Sequence, residues 1–325
     1  VGGSSIRHPA SRIRAGGRYD LPMTFDSPPP LPGWLEAQLP FKRRAFVTGG
    51  NRVHFVDDGD GPSVLLLHGN PTWSYLWRAV IERLIATGHR VIAPDLVGLG
   101  LSDKPRDKGV HTLDFHAGTI VSLIEALDLG DLVVAGQDWG GPIVAVAAAR
   151  VRDRVRGAVF ANTALRVPTR PPRVTAFHRF SHSPIISDLA FRYFNYPVRK
   201  MHLVQGDPSS IGPEQQRAYR YPLRRLRDRT APLALARLVP HDLSSPDYAG
   251  LREVEEWASE TRPPVRLVWG MKDPILGRSV HGMRKLFPAA EVVETDAGHF
   301  LQEEVPQELA EAIALLHRQG SAANT

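Results

Sequence analysis

Residues 136–140 read Gly-Gln-Asp-Trp-Gly. This is the spacing of the G-x-S-x-G turn, in which a strand breaks sharply into a helix and lifts its central residue out of the sheet. Asp138 stands where such turns usually carry serine. Glycines flank it because neighbouring backbone packs too closely for side chains. The preceding residues, 131–135, read as a parallel strand buried on both faces, and residues 142–150 as a helix rich in small residues. The pattern predicts that Asp138 sits exposed at the carboxyl end of a central strand, where open α/β sheets place their chemistry. A serine there would add to an acyl carbon. A carboxylate displaces a leaving group from an alkyl carbon and becomes an alkyl ester. The competing reading, a surface Asp that caps the following helix, leaves the strand, the turn and three further motifs unexplained.

Around this turn the chain alternates strands and helices. Residues 44–47 and 52–56 read as a hairpin about Gly49-Gly50-Asn51. Strands follow at 63–67 and 90–93, helices at 74–86 and 113–127, and a further strand at 156–160. The alternation then stops. Residues 165–245 are polar and rich in Arg and Pro, with aromatics between short helical stretches. It resumes with helices at 248–260, 279–287 and 305–317 and strands at 265–269 and 291–294. Alternation on both sides of an interruption implies a mostly parallel sheet with helices on both faces and an inserted helical cap. The division is 34–164 with 246–325 for the core and 165–245 for the cap. A cap after the sixth core strand would lie over the turn and exclude water. Residues 1–33 are rich in Gly, Ser, Arg and Pro, lack apolar periodicity and read as a flexible, dispensable extension.

A nucleophile on such a turn needs an acid and a histidine later in the chain, in that order. His299, in Asp296-Ala297-Gly298-His299-Phe300, falls in the loop after the last strand. The acid has two slots. The first holds Asn162, which cannot supply the negative charge that stabilises an imidazolium. The second, in Trp269-Gly270-Met271-Lys272-Asp273-Pro274, holds Asp273, which is therefore the expected acid. The alternative role for Asp273 is to cap the turn before Pro274. At the first strand-to-helix turn of the parallel sheet stands His68-Gly69-Asn70-Pro71-Thr72-Trp73. The backbone N–H groups of Asn70 and Trp139 are the expected oxyanion donors. Their side chains add an amide and an indole N–H, two neutral donors suited to a soft leaving anion such as a halide. Taken singly, Trp139 reads as a core aromatic and Asn70 as a turn residue.

Residues 68–78, 136–142 and 269–273 together resemble the haloalkane dehalogenases of the α/β-hydrolase fold, and the similarity runs from about residue 40 to 318. The resemblance implies an Asp138–His299–Asp273 triad and an Asn70/Trp139 halide pair. Their reaction would turn a haloalkane and water into an alcohol and a halide ion through an ester on Asp138, with no metal or organic cofactor. The late Asp with an Asn/Trp pair resembles the third subfamily, and the lack of Trp in 165–245 agrees. The rival is an epoxide hydrolase, which shares the triad but needs acidic cap tyrosines; Tyr193, Tyr196, Tyr219 and Tyr221 are available. A cofactor-free luciferase needs a special substrate, and a receptor on this scaffold would have lost the triad.

Composition narrows the partners. There is no Cys, which excludes disulfides and thiolate metal sites. Nothing approaches a transmembrane span or an apolar signal core, so a cytoplasmic location without a membrane partner is expected. The formal charge is +6, but the basic residues are scattered apart from clusters at 150–156 and 217–229. No aromatic-interleaved basic groove suggests nucleic acid. Oligomerisation is left open.

Overall fold

The structure is a computed structural model that describes residues 24–170, 176–239 and 244–321. Nine strands form one sheet: β1 (Thr24–Asp26), β2 (Arg43–Thr48), β3 (Asn51–Asp58), β4 (Ser63–Leu67), β5 (Arg90–Pro94), β6 (Leu132–Gln137), β7 (Val155–Ala161), β8 (Val265–Gly270) and β9 (Glu291–Thr295). Their order is β1-β2-β3-β5-β4-β6-β7-β8-β9. The first three pair antiparallel, and β3 pairs antiparallel with β5; the six from β5 to β9 run parallel. This is the mostly parallel sheet that the alternation implies, and it fits the α/β-hydrolase fold that the resemblance implies.

Period-2 alternation sends β4 and β6 residues to opposite faces. Leu65, Leu67 and Val134 pack with the helices Leu113–Ala126, Gly140–Arg150 and Tyr248–Glu260. Val64, Leu66, Val133 and Ala135 pack with the helices Arg78–Ala86 and Pro306–Ser321. All seven strand residues are inaccessible to solvent, and burying a side chain the size of Leu stabilises by about 1.5–3 kcal/mol. With both faces covered, β6 has no polar alternation, and it reads as an apolar run.

One boundary differs from expectation. The end of the segment read as an extension is ordered: Thr24–Asp26 pairs with β2 from Thr24 opposite Val47 to Asp26 opposite Ala45. Phe25 lies 6.5 Å from the Phe55 ring, and the Arg44 guanidinium sits 4.3 Å over it. A strand of three residues is too short to show a period in sequence. The helix Gly33–Glu36 then buries Leu35. Residues 1–23 lie outside the described residues. Because β1 adds a strand, the helical insertion follows the seventh strand rather than the sixth. Between β7 and the helix Tyr248–Glu260 the described residues are helical or irregular, with no strand.

Candidate active site

Asp138 follows β6 directly, with φ +52°. A non-glycine residue held in this region is strained, a cost that recurs where a side chain must be presented for chemistry. The turn closes only because its neighbours lack side chains. A Cβ on Gly136 would collide with the Gly140 carbonyl, one on Gly140 with the Leu67 carbonyl, and one on Gly69 with the Asp138 side chain itself. The Asp138 backbone is tied on both sides: its N–H donates to the Asn162 carbonyl (3.1 Å) and its carbonyl accepts from Thr163 Oγ1 (2.8 Å). The helix Gly140–Arg150 has no side-chain cap, so Asp138 does not cap it.

Asp138 lies at the carboxyl end of the central strand, as the motif predicts, but it is not exposed. Only 16% of its side chain is accessible. The helical insertion comes close beside it: Asn70, whose N–H meets Asp138, donates from Nδ2 to the carbonyl of Pro232 at 3.0 Å. Pro232 belongs to the cap helix Ala231–Arg237.

The carboxylate meets two groups. Asn70 N–H donates to Oδ1 at 2.7 Å, and Oδ2 lies 3.7 Å from His299 Nε2. Burial drives the Asp138 pKa up; His299 and the backbone N–H groups of Trp139 and Asn70 oppose that and do not cancel it. His299 Nδ1 is 2.9 Å from Asp273 Oδ2. For His299, burial disfavours the charged form, but the Asp273 charge and hydrogen bond, joined by Asp138, outweigh it and raise the pKa. For Asp273 burial also works against ionisation, and His299, Asn162 and the Ile275 N–H reverse it, so the pKa is lowered. The arrangement holds a neutral or charged imidazole between two carboxylates, one ionised firmly and one less so.

Asp273 makes contacts of both kinds, since it has two oxygens. Oδ1 accepts from Ile275 N–H at 2.7 Å and closes the turn around Pro274, while Oδ2 faces His299.

Several contributors were not read from the sequence as partners. Asn162, passed over as an acid, donates from Nδ2 to Asp273 Oδ2 (2.7 Å) and accepts at Oδ1 from Gly270 N–H (2.7 Å). It therefore fixes the acid from the slot it fails to fill as a charge. Gln137, wholly buried, donates from Nε2 to the His299 carbonyl at 2.9 Å. Cap residues pin the histidine loop: His299 N–H donates to the Val204 carbonyl (2.8 Å), and Phe300 N–H to Gln205 Oε1 (2.9 Å). Glu304 adds to this latch by accepting from Gly206, Asp207 and Gly298 N–H groups at 2.8–3.1 Å.

The tyrosines that an epoxide-opening site would require are engaged elsewhere or exposed to solvent. Tyr219 is buried, and its hydroxyl donates to Glu303, which also takes a bidentate Arg78 at 2.6 and 2.7 Å. Tyr193 and Tyr196 are 63% and 47% exposed. Tyr221 packs edge-on against Trp34 under Arg224.

Comparison with known proteins bears on the fold and the family. Residues 62–306 match the alpha/beta hydrolase fold family. A haloalkane dehalogenase of Mycolicibacterium paratuberculosis is 34% identical over 270 residues, 81% of this chain and 86% of that protein. Haloalkane dehalogenase 1 of Mycobacterium bovis is 37% identical over 258 residues, 77% and 82% of the two chains. Among solved structures, the haloalkane dehalogenase DatA from Agrobacterium tumefaciens is similar with a TM-score of 0.75 and 28% identity, covering 85% of this chain and 96% of its own. DpaA from Paraglaciecola agarilytica, described as tetrameric, gives 0.73 and 28%, with 86% and 93% covered. On its fold, the match across most of its length and these relatives, the chain belongs to the haloalkane dehalogenases of the alpha/beta hydrolase fold.

Proposed function

We propose that this chain hydrolyses haloalkanes to alcohol and halide ion through an alkyl ester on Asp138. The observation that carries the reading is the single line of contacts from Asp138 through His299 to Asp273, with a backbone N–H fixed on the Asp138 carboxylate. An Asp138 oxygen attacks the halogen-bearing carbon, the carbon–halogen bond breaks, and the halide leaves with the electron pair. Asn70 and Trp139 receive it. The Asn70 amide has two N–H bonds, and the one not given to Pro232 serves the halide.

His299 then takes a proton from water, and the resulting hydroxide adds to the Asp138 carboxyl carbon. The Asn70 and Trp139 backbone N–H groups stabilise the oxyanion, an effect worth about 3–4 kcal/mol per donor. Collapse expels the alkoxide, which takes the proton back from His299. The carboxyl group that remains loses its proton to solvent. Residues 165–245 act as the cap over the core of 34–164 and 246–325 and exclude water from the displacement. Water and a small halogenated hydrocarbon are the reactants, and the lack of Cys suits a reducing cytoplasm.

Halide release from 1-bromobutane or 1,2-dibromoethane tests this directly. Bromide appearing in step with alcohol is expected, with bromide quenching of Trp139 fluorescence that is lost in Trp139→Phe. Turnover of an epoxide with no bromide release from either substrate would move the chain to the epoxide-opening reading.

A further inference from the structure

The outer face of the cap carries a surface that the reaction does not use. Ile185, Ile186, Leu189, Tyr193 and Phe194 are 80, 61, 48, 63 and 51% exposed. They lie on or next to two consecutive helical stretches, Pro184–Asp188 and Leu189–Tyr193, and make one apolar strip. Single exposed apolar residues are ordinary; five in ten positions are not.

Against this strip opens a cleft of about 660 Å³ lined by Arg106, Lys108, Arg192, Arg225 and Arg227, with Leu226 beside them at 50% exposure. No carboxylate is among its lining residues. The two adjoin at Arg192, which lines the cleft and lies in the same stretch, Leu189–Tyr193, as part of the strip. Lys108 and Arg192 share one carboxylate, Asp188, at 3.2 and 3.4 Å, and Arg237 draws on it too at 3.3 Å. Arg227 lies 3.8 Å from Asp228. Arg106 and Arg225 make no ion pair among the described residues. Positive charge therefore exceeds negative at the edge of an exposed apolar strip.

We propose that this face of the cap docks on an anionic lipid surface, with the aliphatic strip entering the headgroup boundary and the arginine cleft taking headgroup phosphates. Apolar side chains rimmed by Arg and Lys are the combination that holds a protein at such an interface without spanning it. No helix among the described residues is long and apolar enough to cross a membrane, so the contact would be peripheral, and it departs from the expectation of no membrane partner. A second copy of this chain fits less well, since a two-fold contact on this strip would bring the cationic cleft against its own copy. A nucleic acid would satisfy the arginines and leave Ile185, Ile186 and Leu189 unused. The proposal is independent of the chemistry at Asp138.

Co-sedimentation of the full chain with vesicles tests it. Vesicles of phosphatidylcholine with a third phosphatidylglycerol should carry the protein down, pure phosphatidylcholine should not, and added salt should release it. Each basic residue near such a surface adds roughly fivefold to partitioning. Arg225→Glu with Arg227→Glu should therefore lower it by more than about tenfold, and the milder Arg225→Gln with Arg227→Gln by less. Ile185→Ser with Ile186→Ser should lower it severalfold while halide release from dissolved 1-bromobutane stays at the wild-type rate. Four results would overturn the proposal: equal binding to both vesicle types or none to either, variants that sediment like wild type, a single-stranded RNA oligonucleotide bound as tightly as the vesicles, or an oligomer that the Ile185/Ile186 variant dissolves in the absence of lipid.

Discussion

At the carboxyl end of β6 the backbone leaves no freedom: Gly69, Gly136 and Gly140 each have space for hydrogen and nothing larger, and every β6 residue is buried. Across the site, the cap presents Ile185, Ile186 and Leu189 to solvent and builds itself from helices of four to eight residues. The contrast separates two tasks. The core side must hold reacting atoms to a fraction of an ångström, so its sequence is dictated by contacts. The cap side covers the site and is held by a few defined ties, chiefly Asn70 to Pro232, the Val204–Gln205 latch on the His299 loop, and Tyr219 on Glu303. Substitutions should therefore be severe on the core side and mild on the cap's outer face.

The largest effect should come from Asp273→Asn. Loss of a triad carboxylate at constant shape costs about 10⁴-fold in turnover in the serine-protease case, and a loss of that order is expected here. The Asp273 charge raises the His299 pKa. Hydrolysis needs neutral His299, so wild-type activity should fall as pH drops through a value above the ordinary imidazole range of about 6.5. In Asp273→Asn the remaining activity should persist to lower pH. Adding Asn162→Asp should recover part of the rate, because its carboxylate would lie at hydrogen-bond distance from the vacated charge position. An acid limb that does not move would show that Asp273 has no electrostatic hold on His299.

Gly69→Ala should come next. The new methyl group would strike the Asp138 side chain, and a displacement near 1 Å costs about 10²-fold in rate. Crystallography of the variant should show Asp138 rotated away from His299. Wild-type kcat with an unmoved Asp138 would mean that the turn is more compliant than its contacts imply.

The smallest effect belongs to the cap's exposed face. Ile185→Ser with Ile186→Ser should change stability by about 0.5 kcal/mol or less per substitution in either direction, as surface substitutions do. A thermal unfolding midpoint lowered by as much as in a core substitution such as Leu66→Ala, where about 2–5 kcal/mol is expected, would erase the distinction between the two sides.

The same division governs what could be read from the sequence. The core strands, the turn at Asp138 and the chain order of Asp138, Asp273 and His299 were legible because each rests on local pattern: a run of apolar residues, a glycine spacing, a loop after a strand. The ties that complete the site were not. Asn162 reaches Asp273 over 111 positions, Gln205 reaches Phe300 over 95, and Tyr219 reaches Glu303 over 84. No local spacing encodes such pairings. Asn162 was legible only as a missing charge, although its amide serves the acid from that same slot. A cover over the turn was legible from the position of the insertion, but not how far it encloses Asp138, which depends on long-range contacts; β1 was not legible because three residues carry no periodicity.

His299→Phe isolates the ester on Asp138. Displacement by the carboxylate needs no proton transfer, whereas hydrolysis does. Incubated with 1-bromobutane, this variant should release one bromide per chain and gain one butyl group on the peptide that contains Asp138. A variant that stays unmodified and releases no bromide, while wild type turns over, would mean that His299-activated water attacks the substrate directly and that Asp138 forms no bond to carbon.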